Sequence, residues 1–590
     1  MKLSDYVACF LAGQGIKHVF LITGSAAVHL IDSIAKNPDI DYICTQHEQS
    51  AAMAAEAYSR ITENLGAALS TSGPGATNLI TGVCCAYFDS IPTIFITGQV
   101  PRSQLKRGYA VRQLGFQETD VVSMFESTTK YAVLVDDPQN IKYELEKATH
   151  LARTGRPGPV LLDIPDDVQR AEINPDELRS FVPEETPGSN EPDLDLKRVL
   201  ELITESKRPI VVFGGGIKNS KAQTKAVAFA EKLGFPVALT WAGMDILPHN
   251  HPLVVGGFGV SSVRWGNFAV QNSDFILTIG TRLDTHGAGD KLKTFAREAK
   301  KIILDVDKGE LDKYKDRGMN VDVMINTDAE NFFDQINDKL DGINKQDITE
   351  WAERIKEWKN RYPVCPPQYF EQKEKVNPYV FMECLSEASS EGDVIITDAG
   401  ATLTWTMQAY KVKKNQKLFS AFNHSPMGYS LPASMGAYLA DNRHTVICVI
   451  GDGGIQINIQ ELATIARHKW PIKIFLIDNR GYGIVRQTQE TWLEARYEAT
   501  SWKGGLALPD FINIALAYGI GTEVINNHAE MRGKLRKILA SRDAVLCTVN
   551  LRPDEKITPK LAFGRPIEEL TPPLDKKEFL KNMLIEPWNE

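Results

Sequence analysis

What most constrains this chain is a rhythm: short apolar runs of strand length alternate with helix-patterned segments through most of its 590 residues. The first third carries HVFLI, DYIC, GAALS and PTIFITG; the middle third carries RPIVVFG, FPVALT, DFILTIG and KKIILDVD. In the last third come DVIITD, TVICVIGD, IKIFLID and AVLCTVN. Strands joined by helix-length crossovers pair in parallel, and their sheet must be covered by helices on both faces. One core cannot serve so long a chain. Two segments break the rhythm: NPDELRSFVPEETPGSNEPDLD (174–195), rich in proline and acid, which reads as a linker, and the charged DITEWAERIKEWKNRYP (347–363). We therefore expect an α/β protein of three doubly wound parallel-sheet domains, at 1–180, 190–345 and 365–555, with a polar C-terminal tail at 556–590.

Composition excludes several classes. Asp and Glu outnumber Lys and Arg by 75 to 66, and no long basic block occurs, which argues against a nucleic-acid partner. Eight cysteines without CxxC or metal spacing predict reduced core thiols and a cytoplasmic location. Asp5 interrupts any apolar run in MKLSDYVACF, so no signal peptide is expected there. The stretch from Gly66 to Phe88 lacks charge over a length that could span a bilayer. Its Ser70-Thr71-Ser72, Gly73-Pro74-Gly75 and Thr77-Asn78 predict a strand, a turn and a helix instead, with no membrane partner.

The chemistry gathers in the last third. TVICVIGDGG puts Asp452 just past a strand, and the next strand, IKIFLID, runs into NRGYG, so Asn479 takes the same relative place. In a right-handed βαβ unit both side chains reach the crevice at the carboxyl ends of neighbouring strands. Two hard oxygen ligands there, with a backbone carbonyl from the Gly-rich turn, suit Mg²⁺. Gly451, Gly453 and Gly454 let backbone N–H groups approach a diphosphate at the helix N-terminus. Each motif alone is also ordinary turn chemistry. One βαβ unit apart, each on a strand end, they point to a site.

GDGG, the helix after it and DNRGYG resemble the diphosphate–metal motif of thiamine diphosphate enzymes. The resemblance implies that Asp452 and Asn479 bind Mg²⁺ through side chains and Gly481 through its carbonyl. It extends along nearly the whole chain and is closest to the acetolactate synthase group: SGPGATN (72–78), FQETDVV (116–122), TGRPGPVLLDIPDDV (154–168) and NFAVQNSDFILTIGTRLD (267–284) are similar to that group in order. Glu48, in QHEQSAAMAAEAYSR (46–60), stands where the family has the catalytic glutamate that hydrogen-bonds N1′ of the cofactor's aminopyrimidine. The small residues after it would permit close packing against the last domain of a partner subunit. Gln117 is similar to a glutamine on the substrate side of the site. Met427, in SPMGYSLPASMGA, matches the bulky apolar residue under the bent cofactor. Gly400, Ala401 and Thr402 of DAGAT fall where the family holds diphosphate, although it commonly has Gln-His in place of Ala401-Thr402. His29 and His47 are candidates on the substrate side.

The same resemblance implies a second cofactor, an FAD that takes no part in the carboligation, held at Arg156, Gly215, Arg282, Asp305 and Asp307. Two features depart from the pattern: GVSSVRWGN (259–267) replaces a Gly-Met-His-Gly segment, and His286 stands where a second arginine is common. Thr488, in GYGIVRQTQ, stands where the group has a tryptophan that favours 2-ketobutyrate. The activity implied is decarboxylation of a 2-keto acid, pyruvate first among them, with transfer of the two-carbon unit to a carbonyl acceptor. Alternatives are transfer to a bulkier acceptor such as a nucleotide-linked keto-sugar, and a non-catalytic paralogue serving as a partner subunit. A homodimer or homotetramer is expected, with a regulatory subunit as a further possible partner.

Overall fold

The computed structural model describes residues 1–183 and 195–588, so most of the expected linker at 174–195 lies outside the described residues. Three six-stranded sheets follow one another along the chain, and every pairing within them is parallel. The first holds β1 (His18–Leu21), β2 (Asp41–Cys44), β3 (Gly66–Ser70), β4 (Thr93–Gln99), β5 (Tyr131–Leu134) and β6 (Val160–Pro165) in the order β2-β1-β3-β4-β6-β5. The second holds β7 (Pro209–Phe213), β8 (Val237–Leu239), β9 (Val254–Gly257), β10 (Phe275–Ile279), β11 (Lys300–Asp305) and β12 (Val323–Asn326), ordered β12-β11-β10-β7-β8-β9. The third holds β13 (Val394–Thr397), β14 (Lys417–Phe419), β15 (Val446–Gly451), β16 (Lys473–Asp478), β17 (Gly521–Ile525) and β18 (Val545–Asn550), ordered β14-β13-β15-β16-β18-β17. The three expected doubly wound units are all present.

Burial on both faces explains the unbroken apolar runs. In β15, Ile447 and Val449 enter one core while Cys448 and Ile450 enter another, on the opposite face. The uncharged stretch is β3, then helices Pro74–Asn78 and Ile80–Asp89, within the first domain. No described helix is long and apolar enough to cross a membrane. Six cysteines are buried as expected, but Cys9 and Cys44 are exposed.

The middle unit extends beyond the expected end at 345. Helix Thr349–Arg361 puts Trp351, Ile355 and Trp358 into its core beside Phe268. The tail returns to the same core: Ile567 is buried in it, Glu568 accepts from Gln271 at 2.6 Å, and Trp358 donates to Asn582 at 2.9 Å. A segment that is polar in sequence is therefore held by buried hydrogen bonds.

The alanine-rich helix Glu48–Thr62 does pack closely, but its neighbour is not the expected partner subunit. It lies on helix Ser430–Ala440 of the same chain, so near that a Cβ on Gly436 would stand 2.0 Å from the Ala54 carbonyl oxygen. Small residues on both helices make that approach possible. Polar contacts complete the docking: Gln46 N–H donates to Glu461 at 2.9 Å, and Ser50 donates to Asn458 at 3.2 Å.

Burial pushes the Glu461 carboxyl up from 4.5 to about 7. Between those values the folded chain holds a proton that the unfolded chain has released. Its contribution to stability is therefore fully present at low pH and is lost as pH rises through about 7. Glu461→Gln keeps an acceptor for Gln46 without the charge. We expect it to flatten the pH dependence of the unfolding midpoint between about pH 5 and pH 8, with a gain of up to about 3 kcal/mol at the upper end. Thermal unfolding across that range is the check; an unchanged slope rejects the assignment.

Candidate active site

Open parallel sheets bind ligands where the strand order reverses, outside the carboxyl ends of the strands. In the last domain that point lies between β13 and β15. Asp398 follows the first of these strands, and Asp452 follows the second as the opening residue of helix Asp452–Asn458. Asp398 is buried, accepts from the N–H groups of Gly428 at 3.0 Å and Ser430 at 3.2 Å, and is raised to about 6 by burial. Asp452 accepts from Gly481 N–H at 3.0 Å. Burial, then the neighbouring Asp478 carboxylate, push it up to about 7. A dry carboxyl beside a second one is short of positive charge.

Asn479 is buried on the turn that follows β16, where Arg480 and Gly481 both have positive φ. Arg486 donates to the Asn479 carbonyl at 2.8 Å and steadies that turn. The Asn479 amide lies so close to Gly483 that a Cβ there would meet its Nδ2 at 2.4 Å. The turn that carries Asn479 is thus bonded to Asp452 through the Gly481 backbone. Among the described residues no group of three or more His, Cys, Asp or Glu side chains could hold a metal. A carboxylate, an amide oxygen and a carbonyl are a different donor set, and one that fits Mg²⁺.

Gly400 opens helix Gly400–Ala409 beside the Asn479 turn, and Thr402 faces Gly451, whose Cβ would stand 3.3 Å from its hydroxyl. Ala401 lies 3.9 Å from where a Cβ on Gly483 would be. Gly453 and Gly454 have a packing reason as well. A Cβ on Gly453 would strike the Tyr482 ring at 2.1 Å, and one on Gly454 would meet Asp398 at 2.0 Å.

The first domain supplies a second cluster. Glu48 is the first residue of its helix, is buried, and accepts from the Asn78 amide at 3.0 Å. Gly75 lies against it, with 3.4 Å from a Cβ there to Glu48 Oε1. Gln117 adopts φ +64° and packs on Gly73, where a Cβ would stand 2.9 Å from the Gln117 carbonyl. Glu118 fixes that loop by accepting from Lys106 N–H at 2.5 Å and Leu114 N–H at 2.7 Å. Glu48, Asn78, the SGPG turn and Gln117 therefore come together.

The two histidines have other bonding partners. His47 caps helix Glu48–Thr62, its Nδ1 accepting from Gln49 N–H at 3.1 Å, a local structural task. His29 faces Asp166 at 3.6 Å, and no hydrogen bond joins it to the Glu48 cluster among the described residues. Thr488 is half-buried on helix Gly483–Trp492 and donates to the Ile484 carbonyl at 3.1 Å. Its proton is thus engaged one turn back along its own helix, and the hydroxyl is left to act as an acceptor only.

Three family models match in order along this chain. The N-terminal TPP binding domain of thiamine pyrophosphate enzymes covers residues 1–124, the central domain 196–336 and the C-terminal TPP binding domain 398–549. The chain belongs to the thiamine pyrophosphate enzymes. It is 33% identical to a protein of Methanocaldococcus jannaschii named "Probable acetolactate synthase large subunit", over 98% of this chain and 97% of that one. Acetolactate synthase isozyme 1 large subunit of Escherichia coli (strain K12) is 31% identical, over 95% of this chain and 96% of its own length. Acetolactate synthase 2, chloroplastic, of Nicotiana tabacum is 31% identical, over 95% and 84%. This thiamine pyrophosphate enzyme is therefore of the acetolactate synthase type.

A cavity of about 980 Å³, which Asp452 does not line, opens where all three domains of this family member meet. Arg156, Gly215, Arg282 and Asp305 line it; Asp307 stands behind, paired with Arg156 at 3.0 Å and capping helix Lys308–Asp316. The Asp305 carboxyl, which burial raises, has one backbone donor, Asp307 N–H at 2.9 Å, and otherwise faces the space. Size, arginines and a buried acceptor fit a dinucleotide such as FAD. Of the two departures, only His286 is on the wall, its ring 4.0 Å from that of Trp241 and its pKa lowered by burial. Ser261 and Ser262 are buried off the cavity.

Proposed function

We propose that this enzyme decarboxylates a 2-keto acid, pyruvate in the first instance, and joins the two-carbon unit to a carbonyl acceptor. Asp452, Asn479 and the Gly481 carbonyl would hold Mg²⁺, and FAD would occupy the three-domain cavity without a redox part. The observation that carries this reading is Asp452 at the strand-order reversal, buried, and bonded to Gly481 N–H of the turn that carries Asn479. When bound, thiamine diphosphate supplies an electron sink for the bond that loses CO₂. The residues of the chain do the rest. Glu48 holds or releases a proton at the aminopyrimidine N1′, with Asn78 fixing its carboxyl. Gln117 and the SGPG turn close the substrate side, and Met427 presses on the cofactor from the last domain. Gly400, Ala401, Thr402 and Gly451 border the space for diphosphate.

The test is chemical. Pyruvate, Mg²⁺ and thiamine diphosphate are supplied with and without added aldehydes and ketones, and the products are identified. Acetolactate or a cross-product supports the proposal, and release of no CO₂ rejects it. Flavin is expected to copurify and to stay oxidised at turnover rate in pyruvate. A colourless protein that takes up no flavin would show that His286 has emptied the cavity.

The acceptor pocket is expected to favour a partner larger or more polar than 2-ketobutyrate, because Thr488 leaves room a tryptophan would fill. An apolar wall discriminates a methylene by about 1–3 kcal/mol. Thr488→Trp should suppress use of such an acceptor more than self-condensation of pyruvate, as competition assays would show. Strong preference of the unmodified enzyme for 2-ketobutyrate defeats this part. A homodimer or homotetramer is proposed from Tyr109, Val111, Leu114 and Phe116, which leave apolar surface exposed on the loop that carries Gln117. That the Methanocaldococcus jannaschii and Escherichia coli relatives are named large subunits supports a regulatory subunit as partner.

A further inference from the structure

The loop that carries Met427 is gripped at both ends by a buried ion cluster of the first domain. At its start, Asp89 accepts from Phe422 N–H at 2.9 Å, from Asn423 N–H at 3.0 Å and from the Asn423 amide at 2.6 Å. At its end, the Tyr429 hydroxyl donates to Glu56. Arg60 joins the two grips, donating to Glu56 at 2.7 Å and to Asp89 at 2.6 Å. Between them His424 stacks on Phe88 with ring centres 5.6 Å apart, and Gly428 is fixed by Asp398. Ser425 bonds back to Ala421 at 2.8 Å, which leaves Pro426 and Met427 at the tip.

Stability alone is a poor reason for this cluster. Two carboxylates and one guanidinium are taken out of water, and such groups are often matched by apolar packing. Asp89 is also the last residue of helix Ile80–Asp89, where the backbone carbonyls disfavour a negative charge. Burial works against the Arg60 charge, yet the Glu56 and Asp89 carboxylates outweigh it and keep the group cationic. What the arrangement does supply is geometry: Asp89 Oδ2, Asp89 Oδ1 and Glu56 Oε2 are committed to residues 422, 423 and 429 of the loop, while Arg60 holds Glu56 Oε1.

We infer that Glu56, Arg60 and Asp89 are positioning residues, which set the height of Met427 against the cofactor by clamping residues 422 to 429 to the first domain. This rests on the proposed role of Met427. A tip displaced by about 1 Å costs a reacting geometry on the order of 10²-fold. None of the three carboxylate or guanidinium groups needs to touch a substrate for that effect.

Three variants test it: Tyr429→Phe, which keeps the ring; Asn423→Ala, at an exposed position; and Met427→Ala as the reference. In the cofactor-free protein, hydrogen exchange at the amides of 422–430 should quicken roughly tenfold or more in the first two, since a bond to a charged group is lost. In the loaded enzyme kcat should fall about 10–100-fold while KM for pyruvate and thiamine diphosphate affinity move less than about threefold. Faster exchange with unchanged kcat overturns the inference and leaves the proposed function standing. An unchanged kcat in Met427→Ala overturns both. A lower melting temperature with no change in exchange confined to the loop would make the cluster a structural brace and also reject the inference.

Discussion

Glu48→Gln is expected to retain thiamine diphosphate and to lose turnover by about 10²–10⁴-fold, the range set by a positioned acid or base. The substitution is nearly isosteric, and the site tolerates it. The Asn78 amide, which donates to Glu48 at 3.0 Å, can donate equally to a glutamine oxygen. The helix start is held separately by His47 and by Ser50 on Asn458. What disappears is the ability to give up and recover a proton, because an amide does neither near neutral pH. Binding and turnover should therefore separate: a cofactor titration close to that of the unmodified enzyme, and a kcat far below it. Activity within threefold of the original would remove Glu48 from the proposed chemistry.

Why so much of this was readable before the structure follows from where the charges stand. DVIITD, TVICVIGD and IKIFLID each end an apolar run on aspartate, and these are Asp398, Asp452 and Asp478, at the carboxyl ends of the neighbouring strands β13, β15 and β16. A carboxylate placed next to a buried strand has few reasons to be there, so the sequence marks it. Asp398 shows the limit: its run was recognised, but only the distant Gly428 and Ser430 reveal what its oxygens do. Asn78 was hidden in the same way inside SGPGATN, since its value comes from Glu48 thirty positions earlier.

Most strands that no marked apolar run announces share a physical cause. β5, β9, β12, β14 and β17 are all sheet edges. An edge is short and partly solvated, so β5 is half-exposed along its length and β17 is exposed at its start. β9 is VVGG, which has too few side chains to signal a strand. β6 is different. It is buried throughout, but Asp163 interrupts VLLDIP, and only Thr97 at 2.7 Å and Gln99 at 2.9 Å make that charge tolerable. Long-range satisfaction of that kind cannot be read from a local pattern. The same holds for Glu56, Arg60 and Asp89, which look like a solvated helix face until the last domain covers them.

Asp452→Ala is expected to abolish Mg²⁺-dependent retention of thiamine diphosphate. The donor set is small: one carboxylate, one amide and one carbonyl, so the alanine removes the only full negative charge directed at the ion. Asp478 cannot take over, because its carboxylate already accepts from Arg480 N–H at 3.1 Å and pairs with the Arg480 side chain at 3.2 Å. Removing one member of a buried charge pair costs about 3–5 kcal/mol, which corresponds to an affinity loss of roughly 10²- to 4 × 10³-fold. A second loss follows from the turn, where Gly481 N–H would be left without the acceptor it now has at 3.0 Å. Fold should survive, since β15 and β16 stay paired through their backbones. Calorimetric titration of the cofactor with and without Mg²⁺ measures both effects. Asp452→Asn separates them: it can still accept from Gly481 but offers the ion no charge, and its affinity should fall between those of the other two proteins. Equal cofactor affinity in Asp452→Ala and the unmodified enzyme would mean that the metal is held elsewhere.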